Sequence, residues 1–143
     1  MIGILVITHG NFAAEILKTV ELIIGKQNQT VSLGLQYNDS IEEFRLKVKD
    51  TIVSLDKGDG VLIFTDLFGA SPYNAAAFSA NKVKNTKFRC ITGVNLPMLL
   101  EAFTTRDVCN LDDLTESCIK CGSQGIKELF HEIKINSKLL KNN

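Results

Sequence analysis

The hydrophobic positions of the chain follow two rhythms that alternate along most of its length. Continuous apolar runs, rich in β-branched residues, occupy Ile2 to Ile7 and Gly60 to Thr65, as expected of strands covered on both faces. Shorter strand candidates lie at Thr30 to Leu35 and Lys87 to Thr92. Between them the apolar residues recur at helical spacing: Ala13, Ile16, Leu17 and Val20 within Phe12 to Ile24, then Ile41, Phe44, Val48, Ile52 and Leu55. Gly25 suits the end of the first of these helices. Ser40 and Glu43 form a capping box ahead of the second. Ser71 reads as the N-cap, and Pro72 as the first residue, of a third helix reaching about Asn81. A fourth helix spans Pro97 to about Thr105, and a fifth runs from near Leu111 to the break at Gly122 to Gly125.

Strands that alternate with helices over one domain's length demand parallel pairing through right-handed crossovers. The pattern therefore predicts an α/β fold, doubly wound, with a mainly parallel sheet of order 2-1-3-4 and helices on both faces. One domain is expected over 1–135, followed by a polar, frayed tail over 136–143. Gly125 to Ile135 fits two periods. Ile126, Glu128, Phe130 and Glu132 alternate as in a strand, whereas Ile126, Leu129, Phe130 and Ile133 suit a helix. Phe12, Phe44, Phe64 and Phe78 are expected in the core.

Composition narrows the function. A chain of 143 residues buries roughly 70% of its unfolded surface, so it needs no disulfide framework. With 45% hydrophobic and 22% charged residues and a formal net charge of zero, no strong field draws it to nucleic acid or anionic membrane. No apolar run approaches the ~20 residues that span a bilayer, and the N-terminal run lacks a basic flank, so a cytoplasmic location is expected. Cys90, Cys109, Cys118 and Cys121 are read as thiols. Cys118 and Cys121 have the spacing of half a zinc site with nothing to complete it, so no metal is expected. Without a Walker motif or a GxGxxG fingerprint, no cofactor is expected either.

The chemistry concentrates where strands end. The first strand runs into Thr8-His9-Gly10 and the third into Thr65-Asp66-Leu67. In order 2-1-3-4 these strands are neighbours whose outgoing connections diverge, which opens a crevice at their carboxyl ends. An imidazole and a carboxylate thus reach one place, and a carboxylate on one ring nitrogen leaves the other free to act as a nucleophile. The helix start at Gly69-Ala-Ser-Pro72 offers free amides and a positive dipole end to phosphoryl oxygens, with the Ser71 hydroxyl as a further donor. Phe68, in the same loop, and Asn95, after the fourth strand, border the crevice as partner-contact candidates. His131 reads as a solvated surface residue.

At these residues the chain resembles the IIA proteins of the mannose family of the bacterial phosphoenolpyruvate-dependent sugar phosphotransferase system. The likeness rests on Gly3 to Gly10, on Asp66-Leu-Phe-Gly-Ala-Ser-Pro-Tyr-Asn74 and on Gly93-Val-Asn-Leu-Pro-Met-Leu-Leu-Glu101. It implies a phosphotransferase in which His9 takes a phosphoryl group on Nε2 from the histidine-containing phosphocarrier protein and passes it to a IIB domain. Asp66 would hold Nδ1, and Ser71 would bond the phosphoryl group. Membrane components IIC and IID would be met only indirectly. The resemblance also implies a homodimer that exchanges a C-terminal antiparallel strand, for which Gly125 to Ile135 is the candidate. Ala70 stands where the family usually has a second glycine, and a left-handed turn there would cost about 1 kcal/mol. Similar domains serve as phosphorylation-dependent regulatory modules or as phosphoryl donors for dihydroxyacetone kinase. With no DNA-binding or further phosphocarrier segment in the chain, a transport component is the expectation.

Overall fold

The computed structural model describes residues 1–142. Ten elements follow in chain order: β1 (Gly3–His9), α1 (Phe12–Ile24), β2 (Thr30–Leu35), α2 (Ile41–Leu55), β3 (Val61–Thr65), α3 (Ser71–Ser79), β4 (Phe88–Thr92), α4 (Leu96–Thr105), α5 (Leu111–Gln124) and α6 (Leu129–Lys141). The four strands form one sheet of order β2-β1-β3-β4 with every pair parallel. The expected sheet order is therefore observed.

Side chains on a strand alternate between faces, and the core divides accordingly. Ile4 and Val6 of β1 join Leu62 and Phe64 of β3 beneath α1, α4 and α5. Leu5 and Ile7, with Val61 and Ile63, pack instead against α2 and α3. β1 and β3 are central and covered twice, which explains why their sequences are continuously apolar. Each large side chain buried there contributes about 1.5–3 kcal/mol through its removal from water. Because α1 lies on one face and α3 on the other, the chain leaves β1 and β3 in opposite directions. That divergence is the switch point.

Local signals account for most helix limits. The Ser40 hydroxyl accepts from the Glu43 amide at 3.3 Å, capping α2. Asn110 caps α5 in the same way, through the Asp113 amide at 2.9 Å. Gly122 lets α4 and α5 approach, since a Cβ there would press on the Met98 side chain.

Three expectations need correction. The candidate exchanged strand is not a strand: the chain turns after α5 and enters α6, which continues through Lys141. The Glu128 carboxylate accepts from the amides of Phe130 and His131 at 3.1 and 2.7 Å, so a helix cap outweighs the alternating pattern. The helix also crosses the expected boundary at 135, so the tail is helical as far as Lys141, and Asn143 lies outside the described residues. Finally, Phe44 and Phe64 are buried, but Phe12 is 45% exposed. Phe12 opens α1 beside His9, where the sheet's carboxyl edge faces outward.

Candidate functional site

His9 is the last residue of β1, level with Leu35 of β2. Two residues before it, Ile7 pairs with Thr65, the last residue of β3. Asp66 therefore emerges beside His9 and folds back onto it. Its Oδ2 accepts from the His9 amide at 2.9 Å and lies 2.7 Å from Nδ1 of the ring. Its Oδ1 accepts from the Leu67 amide at 2.9 Å. An ionised carboxylate only accepts, so Nδ1 donates and the free lone pair is on Nε2. Partial burial works to raise the Asp66 pKa, but the bonds from the His9 amide, the His9 ring and the Leu67 amide outweigh it. The carboxyl is held below its ordinary value.

The turn after His9 is constrained from several sides. Gly10 takes φ 55°, a left-handed conformation suited to glycine, and its amide donates to the Leu35 carbonyl at 2.8 Å. A Cβ on Gly34 would collide with the Gly10 carbonyl oxygen, so the turn lies against β2 only because position 34 has no side chain. The Thr8 hydroxyl accepts from the Ala13 amide at 2.8 Å and donates to the His9 carbonyl at 3.1 Å. Neither Thr8 nor Gly34 stands out in the sequence. A threonine ending a strand and a glycine inside one are common, and their partners here come from the folded turn.

Ser71 differs from its expected place. Ala70 is the N-cap of α3, with no side-chain cap bond, and Ser71 is the first helical residue, so Pro72 is second. The left-handed position of the loop is Gly69, at φ 75°. Ala70 has φ −81° and ψ 174°, extended backbone without strain, so the alanine costs nothing there. The first backbone bond of the helix runs from the Asn74 amide to the Ala70 carbonyl at 2.9 Å. The amides of Ser71 and Tyr73 precede it, as orphan donors of a first turn do. Pro72 has no donor to add.

Of the two partner-contact candidates, one faces outward. Phe68 is 79% exposed, with its ring 5.0 Å from that of Tyr73. Asn95 is spent on structure: its Oδ1 accepts from the Met98 amide at 3.1 Å and its Nδ2 donates to the Gly122 carbonyl at 3.0 Å. It caps α4 and ties it to α5, and with Phe68 it also lines the groove beside the site.

The His9 side chain is 48% exposed. The neighbouring apolar groove, lined by Phe68, Tyr73, Cys90, Met98, Ile119 and Ile126, does not include it. An imidazole on an open rim suits a reacting group carried by a macromolecule better than a small substrate, which requires enclosure. The cysteines stand apart from this chemistry. Burial pushes the Cys90 thiol up to about 11 and the Cys118 thiol up to about 12, so both stay protonated at neutral pH. Among the described residues no group of three or more His, Cys, Asp or Glu side chains is placed to hold a metal. None of the described helices is long and apolar enough to cross a membrane.

Comparison with known proteins finds likeness over most of the chain. The family model EIIA-man, described as PTS system fructose IIA component, matches residues 3–119. Over 129 residues, 90% of its length, the chain is 34% identical to the PTS system mannose-specific EIIAB component of Escherichia coli (strain K12), and it spans 39% of that protein. It is 30% identical over 125 residues to the PTS system fructose-specific EIIA component of Bacillus subtilis (strain 168), covering 87% of this chain and 83% of the relative. The crystal structure of phosphotransferase system component EIIA from Streptococcus agalactiae superposes with a TM-score of 0.85 at 30% identity, covering 92% of this chain and 99% of that one.

Proposed function

The chain belongs to the EIIA-man family of sugar phosphotransferase-system components, and on that footing we propose that it carries a phosphoryl group on Nε2 of His9. The observation that supports this reading most is the 2.7 Å contact between Nδ1 and Asp66 at the switch point. The donor is the histidine-containing phosphocarrier protein and the acceptor a IIB domain, both met in the cytoplasm. Nε2 attacks the phosphorus of the donor's phosphohistidine. A new N–P bond forms as the donor's N–P bond breaks, and its electron pair returns to the donor ring. The proton on Nδ1 stays, so the phosphorylated ring is cationic and the Asp66 carboxylate stabilises it. The first-turn amides of α3 and the Ser71 hydroxyl receive the phosphoryl oxygens. In the second transfer the IIB nucleophile attacks, and Nε2 leaves with its electron pair.

Reconstitution tests the reading. With phosphoenolpyruvate, enzyme I and the phosphocarrier protein, one acid-labile, base-stable phosphate per chain is expected, and it should be lost on adding a IIB domain. A chain that stays unlabelled while a known IIA protein is labelled in parallel would sink the proposal.

Ser71 supplies a sharper test, because it is not the cap of α3. Ser71→Ala should leave the melting temperature nearly unchanged, where loss of a true cap costs about 1 kcal/mol, and should slow phosphorylation. Ser71→Asp places a carboxylate in the first turn of a helix, where it is tolerated, but sets like charge against the phosphoryl group. It should fold and be almost inactive as an acceptor. A near-normal rate in the aspartate variant would remove Ser71 from the site.

The proposal extends to a homodimer. Helix α6 has no buried residue, and Leu129, Phe130, Ile133, Leu139 and Leu140 are all at least 49% exposed. A single chain leaves this amphipathic helix without a partner, and a second copy would cover it. Light scattering behind a sizing column should give twice the chain mass, and Phe130→Glu with Leu140→Glu should halve it. A parent protein of single-chain mass at micromolar concentration rules the dimer out.

A further inference from the structure

Thr8 is fully buried and, apart from His9 itself, is the only polar residue of β1. A hydroxyl at such a place needs partners, and both of its capacities are used: it accepts from the Ala13 amide at 2.8 Å and donates to the His9 carbonyl at 3.1 Å. The first bond supplies what α1 otherwise lacks. Asn11, the formal N-cap of α1, makes no side-chain cap bond, and its Oδ1 accepts from Gln36 Nε2 at 3.1 Å instead. The second bond bears on the histidine.

The peptide plane between His9 and Gly10 is held at its oxygen by Thr8 and at its amide by the Leu35 carbonyl at 2.8 Å. Glycine places little restraint of its own on that plane, so its orientation is imposed from outside. On the other side of His9 the amide is bound to Asp66. With both flanking peptide planes anchored, the Cα–Cβ bond of His9 has a set direction, and a short bond from Nδ1 to Asp66 then sets the ring. We propose that Thr8 is a positioning residue for His9. Its hydroxyl joins the histidine's carbonyl to the first turn of α1 and thereby aims Nε2. This rests on the reading of His9 as the phosphoryl acceptor.

The test compares three substitutions at the position: Thr8→Val, which keeps the shape and loses the hydroxyl, Thr8→Ser, which keeps the hydroxyl, and Thr8→Ala, which loses both. Two readouts are taken on the full chain: single-turnover phosphorylation by the phosphorylated phosphocarrier protein, and long-range ¹H–¹⁵N spectra of the His9 ring across pH. Misplacing a reacting group by about 1 Å can cost about a hundredfold in rate, so Thr8→Val should be about ten- to a hundredfold slower, with Thr8→Ser within about threefold of the parent. The ring spectrum of Thr8→Val should show loss of the single tautomer, and that of Thr8→Ser should retain it. A folded Thr8→Val with parental rate and parental ring spectrum, whatever its melting temperature, makes Thr8 a helix cap alone and overturns the proposal. If the valine variant does not fold, the other two decide: a fast serine variant beside a slow alanine variant supports it, and equal rates overturn it. A parent chain that accepts no phosphate defeats the carrier reading instead, and the ring spectra still report on Thr8.

Discussion

His9→Ala protein should take up no acid-labile phosphate from the phosphorylated phosphocarrier protein, while melting close to the parent. The chain's other histidine, His131, is in α6 and is not among the groups bonded to His9 or Asp66. Folding should survive for a specific reason. The imidazole is 48% exposed, and Asp66 keeps its bonds to the backbone amides of residues 9 and 67 when the ring is removed. The change is thus of surface type, worth within about 1 kcal/mol. Phosphate analysis beside a thermal melt checks both halves, and retention of label at parental stoichiometry would assign the acceptor elsewhere.

Asp66→Asn should be nearly as damaging to transfer, through proton placement and not through shape. All three groups that approach the Asp66 carboxylate are donors in the present arrangement: the His9 amide, Nδ1 of the ring and the Leu67 amide. A carboxylate satisfies three donors, but an asparagine has one accepting oxygen and brings two N–H donors of its own. If its NH₂ group faces the ring, Nδ1 must accept, and the proton moves to Nε2, where it blocks attack. If the oxygen faces the ring, the NH₂ group meets the Leu67 amide donor to donor. The charge that stabilises the phosphorylated ring is lost in either case. A comparable substitution in a serine protease triad costs about 10⁴ in rate, and a loss of several orders of magnitude in single-turnover transfer is expected here.

The same substitution alters acid stability in a defined direction. The folded-state pKa of Asp66 lies below its ordinary value, so this carboxylate contributes stability that is fully present above the unfolded value of ~3.9. That contribution is lost as pH falls through the lower, folded pKa. Asparagine does not titrate, and the variant should lose less stability than the parent between pH ~4 and the acid limit. Equal acid melting curves with parental transfer rates would mean that the Asp66 bond to Nδ1 has no role in the chemistry.

Much of the site was legible because it hangs on two central strands. Residues covered on both faces must be apolar throughout, so β1 and β3 stand out from the helical periods, and His9 and Asp66 are where those runs end. The edge strands β2 and β4 alternate only weakly, and β4 begins one residue later than its pattern suggests. Local chemistry was less decisive. Ser71 and Ala70 differ in which backbone turns helical, a matter of φ and ψ and not of residue preference. Asn95 borders the groove as its position after β4 suggests, but its bond to Gly122 depends on α5, 27 residues away.

The chain by itself determined the order of elements, the faces of the core and the two strand ends at which an imidazole and a carboxylate emerge, because hydrophobic period and capping chemistry act within a few residues of one another. It left the C-terminal segment open between strand and helix. Only the tertiary structure decided that Asp66 also binds the His9 and Leu67 amides, that Thr8 and Gly34 shape the turn after His9, that Phe12 points outward and that the last segment is helical. Asp66 stands 57 residues from His9, and Gly34 meets Gly10 across two strands. Such contacts arise from how the strands are brought side by side, and no short stretch of sequence contains both partners.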